Sequence, residues 1–177
     1  MNLLGIIKCF DRLTLRRIIS IALIIFWCIV IFNLSAQSGE ESSQTSAGFT
    51  ERFCELIVPK FSGIDEAKRK ETVESLQFIV RKSAHFTAYF ILSLLSLAFF
   101  STVKRLKKPL YQAAAAAGFC MIYAVSDEIH QLFVPGRSAQ IRDVLIDTSG
   151  ALLAAAAVLG IKYLIDRKNK RTKNHDT

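Results

Sequence analysis

Residues 110–131 read LYQAAAAAGFCMIYAVSDEIHQ. Residues 110–125 are largely apolar and, extended through residue 129, reach the roughly 20 residues with which a helix crosses a bilayer. Asp127, Glu128 and His130 stand at the end of this run. Ionisable side chains at the edge of hydrocarbon are costly to place, and they tend to be paired and functional. The stretch therefore predicts a membrane helix that ends in a functional polar cluster.

Three further apolar segments have a similar length, at residues 18–36, 84–103 and 144–165. The composition agrees, since 51% of the 177 residues are hydrophobic and the mean hydropathy is +0.33. The apolar residues come in blocks rather than in the short periodic stripes of a soluble domain. We predict an all-α membrane protein with four transmembrane helices, within a domain of residues 18–166.

Lysine and arginine are distributed unevenly about these segments. Of the 23 basic residues, 14 lie in residues 1–17, in the link 104–109 and in residues 162–177, together with only three acids. The other side carries 9 bases and 12 acids. By the positive-inside rule, both termini are expected in the cytoplasm, the carboxyl terminus as a basic tail of residues 167–177. The polar cluster is then expected at the outer face.

The net charge of +8 is explained by this topology and by contact with anionic lipids. We therefore expect membrane lipids as partners and no nucleic acid. A secretory signal peptide is the alternative interpretation of the first apolar segment. However, residues 18–34 are long for a signal peptide, and an uncleaved first helix lets all four spans obey the charge rule.

Residues 37–80 are expected to form an outer segment between the first two spans. Residues 37–46 are polar and rich in loop formers, which predicts a loop. Beyond them, apolar residues recur at helical spacing and predict short amphipathic helices. Because no helix breaker precedes the second span, a continuous helix is expected from Thr72 to about Phe100.

Polar residues should meet at one depth. A helix needs about 20 residues to cross the bilayer core. Counted from the cytoplasmic end of each span, this length brings the polar residues of three helices to within about one turn of the outer boundary. On each helix they repeat at i, i+4 spacing and share a face. The three stripes are Arg81, His85 and Tyr89; Asp127 and Gln131 with His130 beside them; and Asp143, Asp147 and Ala151.

The charges of this cluster balance, with four acids and four bases beside two histidines. Arginine suits phosphate and carboxylate groups, and acids can orient it. We take Asp127, Glu128 and His130 as candidate acid or base catalysts. The predicted ligand-binding residues are Arg81, Lys82, His85, Asp127, Glu128, Gln131, Arg137, Arg142, Asp143 and Asp147.

Three other interpretations stay open. The cluster could be a purely structural ion-pair network that ties helix ends together. It could bind a metal, but His85 and His130 lie on different helices, no His-Glu-x-x-His motif occurs, and the basic residues disfavour a dication. We predict no metal site and no cofactor. A transporter is disfavoured because the cytoplasmic halves of the spans lack polar residues.

Several motifs together resemble the VanZ-like family of bacterial membrane proteins, which is named for an accessory teicoplanin-resistance protein. The motifs are Ser35-Ala36-Gln37-Ser38; Arg81-Lys82-Ser83-Ala84-His85-Phe86 with Tyr89; Ser126-Asp127-Glu128-Ile129-His130-Gln131; Pro135-Gly136-Arg137; and residues 143–150. The resemblance implies a multi-pass protein of the bacterial cytoplasmic membrane. Some members are linked to reduced susceptibility to glycopeptides that carry a lipid tail. The resemblance supplies no catalytic mechanism.

Two functions compete at this point. In the first, the outward site binds a lipid headgroup, a lipid-linked cell-wall precursor or a lipoglycopeptide through its basic residues. In the second, a membrane-embedded enzyme acts on such a lipid with a carboxylate or His130 as acid or base. The sequence does not determine the oligomeric state.

Overall fold

The structure, a computed structural model, describes residues 12–173, which form five α-helices and one 3₁₀ turn at Phe61–Gly63. Four helices are long and apolar enough to cross a membrane, which confirms the predicted number of spans. The fifth is the shorter α2. The helices are α1 Arg12–Ser35, α2 Gly39–Ile57, α3 Glu66–Phe100, α4 Pro109–Gln131 and α5 Ile141–Lys173.

The helix ends follow from local chemistry. Pro109 occupies the first turn of α4, where its fixed φ suits a helix start and no amide hydrogen is needed. Gly136, with φ +71°, follows α4 in the connection to α5. A side chain is strained in this left-handed conformation, which glycine adopts freely. Gly136 therefore allows the chain to turn after α4.

The prediction of a loop over residues 37–46 is wrong, because α2 begins at Gly39. The reason is a capping box: the Glu41 backbone N–H donates to Ser38 Oγ at 3.2 Å, and the Ser38 backbone N–H donates to Glu41 Oε2 at 2.9 Å. The latter bond lowers the pKa of Glu41 below its usual value. The serines and glutamates that suggested a loop instead start a helix.

Of the short helices predicted beyond residue 46, the first is the second half of α2, and the second is the beginning of the long α3. Cys54 of α2, Phe61 of the 3₁₀ turn and Val73 of α3 form a small buried cluster that holds α2 against α3. The long helix predicted from Thr72 begins even earlier, at Glu66, and runs for 35 residues. At about 1.5 Å per residue it is roughly 50 Å long and exceeds the thickness of a bilayer core.

Both predicted terminal segments are partly helical. The segment 1–17 is described only from residue 12, where α1 begins, and the tail 167–177 continues α5 as far as Lys173. Residues 1–11 and 174–177 lie outside the described part of the chain.

Helix α3 is the central element and contacts the other four helices. Its approach to α5 is close at Gly150, where a Cβ atom would overlap the backbone carbonyl of Phe86. Nearby, Ser93 Oγ donates to the Ala151 carbonyl at 2.9 Å. Small residues let membrane helices approach in this way. Helix α4 also packs on α5, where Ala113, Ala116 and Ala155 are buried in one cluster.

Helix α1 is attached through side chains that bond to backbone carbonyls. Trp27 Nε1 donates to the Ala88 carbonyl of α3 at 2.8 Å, and Tyr123 Oη of α4 donates to the Cys28 carbonyl at 2.7 Å. The opposite side of α1 exposes large apolar side chains, among them Ile25, Phe26, Ile29 and Phe32. An exposed apolar surface of this kind is suited to lipid.

The close approach at Gly150 yields a stability test. Gly150→Ala should lower the free energy of unfolding by about 1–3 kcal/mol, the usual cost of an overpacked core, because α3 and α5 must separate to admit the methyl group. Thermal unfolding of the detergent-extracted protein would measure this effect. Gly160→Ala, in the same helix but with open space around the added atom, is the matched control. Equal melting of the two variants would contradict the packing described.

Candidate functional site

The predicted polar stripes meet at one end of the helical bundle. The carboxyl ends of α1 and α4, the middle of α3 and the start of α5 converge there. The connection 132–140 between α4 and α5 covers the same end. Residues distant in sequence therefore form one cluster in the structure. We call it the polar cluster, and its residues are Arg81, Lys82, His85, Asp127, Glu128, Gln131, Arg137, Asp143 and Asp147.

Two carboxylates lie at the centre of the polar cluster. Asp127 of α4 is 4% exposed and Asp147 of α5 is 1% exposed. Burying a carboxylate costs several kcal/mol unless hydrogen bonds or opposite charges compensate it. The surroundings of these two side chains therefore determine what the cluster can do.

Asp127 is held by α1 and by its own helix. Ser35 Oγ donates to Asp127 Oδ2 at 2.6 Å, and Gln131 Nε2 lies 3.5 Å from the same oxygen. Ser35 is fully buried. The sequence did not predict a role for Ser35 at the site. A signal was present, because Ser35 is a polar residue near the end of the first apolar segment.

Asp147 faces His85 of α3. Asp147 Oδ2 lies 3.8 Å from His85 Nδ1, while Asp147 Oδ1 is buried and has no hydrogen-bond partner among residues 12–173. The ligand atoms of His85, Asp127 and Asp147 all lie within 4.8 Å of one another. These three side chains, from three different helices, are named the His-Asp-Asp group below.

Glu128 has a different role. Its Oε2 accepts the backbone N–H of Gln140 at 2.8 Å, directly before α5 begins. The first amides of a helix lack partners within the helix, so an acceptor from α4 caps α5. His130, the third catalytic candidate, packs its ring against Phe32 with centroids 4.5 Å apart.

Arg137 is positioned by the backbone of two connections. The Gly39 amide donates to the Pro135 carbonyl at 3.0 Å, and a Cβ at Gly39 would overlap the Gly136 carbonyl. This close contact brings Arg137 Nε to 3.2 Å from the Gln37 carbonyl oxygen, to which it donates. Burial, and secondarily the nearby Arg81, lower the pKa of Arg137.

A cavity of about 200 Å³ opens at this end. The predicted ligand-binding residues that line it are Arg81, Lys82, His85, Gln131, Arg137 and Asp143. Asp127, Glu128 and Asp147 are buried but do not line it. Arg142 also lies outside it, with its guanidinium carbon 5.6 Å from the ring centroid of Phe78. Residues that were not predicted also contribute to the lining, namely Gly39, Phe78, Gly136, Ser138 and Gln140.

The three cations in the cavity wall differ in their pairing. Lys82 Nζ forms an ion pair with Asp143. Arg81 and Arg137 form no ion pair within residues 12–173, and one terminal nitrogen of Arg137 is buried without a hydrogen-bond partner. The cavity therefore has two guanidinium groups whose charge is not neutralised by a direct carboxylate contact.

The family model for VanZ/LLP1 matches residues 20–163. The chain belongs to this family. The match contains all four membrane-length helices in large part and every residue of the polar cluster. Curated proteins and solved structures show no match to this chain. Family and helices together make this a VanZ-like multi-pass membrane protein.

Loss of the Ser35 hydroxyl should destabilise this protein. Ser35→Ala removes the short hydrogen bond to a buried carboxylate, and we expect the free energy of unfolding to fall by about 1–3 kcal/mol. Thermal unfolding in detergent is the measurement. Ser126→Ala is the control, because Ser126 is exposed and its hydroxyl bonds only within α4. A Ser35→Ala protein that melts like Ser126→Ala would show that this bond does not support Asp127.

Proposed function

We propose that this VanZ-like protein binds an anionic headgroup at the outer face of the bacterial cytoplasmic membrane. The headgroup belongs to a membrane lipid or to a lipid-linked cell-wall precursor. In this orientation both termini are cytoplasmic and the polar cluster faces outward, which is supported by the basic residues concentrated at the opposite ends of the spans.

The pair of arginines without carboxylate partners carries this proposal. Arg81 and Arg137 line one cavity, and two like charges near each other in a partly buried place are unfavourable without a counter-charge. An anion between them would remove the repulsion and give the free nitrogen of Arg137 an acceptor. Guanidinium groups bind phosphate and carboxylate through paired hydrogen bonds.

The remaining residues fit supporting roles in such a site. Asp143 holds Lys82 in the wall, while the carboxyl groups of Asp127 and Glu128 raise the pKa of Arg137, against the larger effect of its burial. His85 and Gln131 add hydrogen-bonding groups to the lining. The cavity volume of about 200 Å³ suits a headgroup, so the hydrocarbon chains of the ligand would stay in the bilayer.

Binding is favoured over catalysis by the positions of the catalytic candidates. Asp127 and Glu128 are engaged by Ser35 and by the start of α5, and neither lines the cavity. His130 packs against Phe32 instead. A binding protein of this kind would act in the cell envelope by holding a precursor or a lipoglycopeptide, and so would alter susceptibility to teicoplanin-type antibiotics.

The role of the Arg137 guanidinium in binding the headgroup can be tested directly. Arg137→Lys keeps the positive charge but loses the bidentate geometry, so affinity for phosphatidylglycerol should fall about tenfold, the equivalent of about 1.4 kcal/mol. Native mass spectrometry of the purified protein with this lipid would measure the affinity. Arg142→Lys, on the exposed arginine outside the cavity, should bind like the parent.

The same two variants can be compared in cells at equal protein levels. Arg137→Lys should weaken protection against a lipidated glycopeptide, and Arg142→Lys should not. Unchanged lipid affinity in Arg137→Lys would refute the binding site. If instead Glu128→Gln abolished the cellular effect while lipid binding stayed intact, catalysis would replace binding as the function.

The orientation needs an introduced reporter, because Cys54 is only 5% exposed and is shielded from reagents. Glu55→Cys places an exposed thiol on α2, and Lys107→Cys places one in the basic link between α3 and α4. A membrane-impermeant maleimide applied to intact cells should label Glu55→Cys only. Labelling of Lys107→Cys before lysis, with Glu55→Cys unlabelled, would reverse the topology.

A further inference from the structure

We propose that the His-Asp-Asp group is a binding site for a divalent transition-metal ion, with Zn²⁺ as the favoured occupant. His85, Asp127 and Asp147 come from α3, α4 and α5, and their ligand atoms lie within 4.8 Å of one another. The inference does not depend on headgroup binding by the arginines.

The donor set suits this class of ion. One imidazole nitrogen and two carboxylate oxygens are ligands that zinc takes in proteins, at bond lengths of about 2.0–2.2 Å. Ligand atoms around such an ion lie roughly 3–4 Å apart, so a small inward movement of the side chains would complete the site. A histidine among the donors favours zinc over magnesium or calcium, which prefer oxygen ligands alone.

A buried oxygen of Asp147 without a hydrogen-bond partner also points to a ligand. This carboxylate is 1% exposed, and its Oδ1 has no hydrogen-bond partner among residues 12–173. Burying a carboxylate oxygen without a hydrogen-bond partner is unfavourable, and more so when the group is charged. Its nearest basic group is the His85 ring at 3.8 Å, which is longer than a hydrogen bond. A cation between the two side chains would be coordinated by the His85 imidazole and by the Asp147 carboxylate.

Hydrogen bonds from residues outside the His-Asp-Asp group also support a metal site. Metal-binding carboxylates are usually oriented by further hydrogen bonds, which raise their affinity for the ion. Ser35 and Gln131 both point at Asp127 Oδ2. This bonding fixes the carboxylate and leaves its second oxygen available.

The basic residues that disfavoured a metal in the sequence do not pair with Asp127 or Asp147 within residues 12–173. Lys82 pairs with Asp143, and Arg137 Nε donates to a backbone carbonyl. Because the three donors lie on three helices, no local spacing in the sequence could reveal them. Since His85 also lines the cavity, an ion here would lie beside the cavity wall and could keep a coordination position open toward it.

The test uses the full-length protein in detergent. After removal of metal with EDTA, titration with Zn²⁺ should show one ion bound per chain and raise the melting temperature. Asp147→Asn and His85→Gln should bind Zn²⁺ at least tenfold more weakly. Glu71→Gln is the matched control, since it removes the charge of an exposed carboxylate of α3 outside the polar cluster; it should bind like the parent.

Two results would overturn the site. One is the absence of stoichiometric Zn²⁺ binding by the folded parent protein, which needs no variant. The other is equal Zn²⁺ affinity in the parent, Asp147→Asn and His85→Gln. Weak phosphatidylglycerol binding by Arg137→Lys with normal Zn²⁺ binding would leave the metal site intact, so the two proposals can fail separately.

Discussion

The burial of Asp127 and Asp147 is the constraint on which the rest of this bundle depends. A carboxylate removed from water near hydrocarbon must be compensated by partners close by. The partners available come from other helices: Ser35 from α1 and His85 from α3. The polar cluster therefore requires that the ends of α1 and α4, the middle of α3 and the start of α5 stay together. Small residues below it, such as Gly150, allow the helices to approach closely enough.

Two short connections complete the site above these carboxylates. The link after α1 and the link after α4 meet where Gly39 contacts Gly136, with backbone so close that a Cβ atom at Gly39 would overlap the Gly136 carbonyl. Their meeting places Arg137 beside Arg81. Lys82 is neutralised by Asp143, whereas the guanidinium groups of Arg81 and Arg137 form no ion pair within residues 12–173. This difference makes the cluster more than a balanced ion-pair network and underlies the proposed anion site.

The metal proposal and the anion proposal concern two layers of one cluster. The two carboxylates of the His-Asp-Asp group are buried, whereas Arg81 and Arg137 lie in the cavity wall. Only His85 and Gln131 belong to both layers, since His85 is a metal donor, Gln131 supports Asp127, and both line the cavity.

The sequence by itself determined the four membrane-length helices and the meeting of their polar stripes at one end, because length and hydropathy set which helices can cross hydrocarbon. The prediction of a loop over residues 37–46 failed, because serine and glycine favour loops on average but Ser38 and Glu41 form a capping box in this order. Only the tertiary structure decided that Glu128 caps α5, that Arg142 lies outside the cavity, and that His85 meets Asp127 and Asp147. Those facts depend on the rotation and contact of helices that are distant in the chain, which local spacing does not encode.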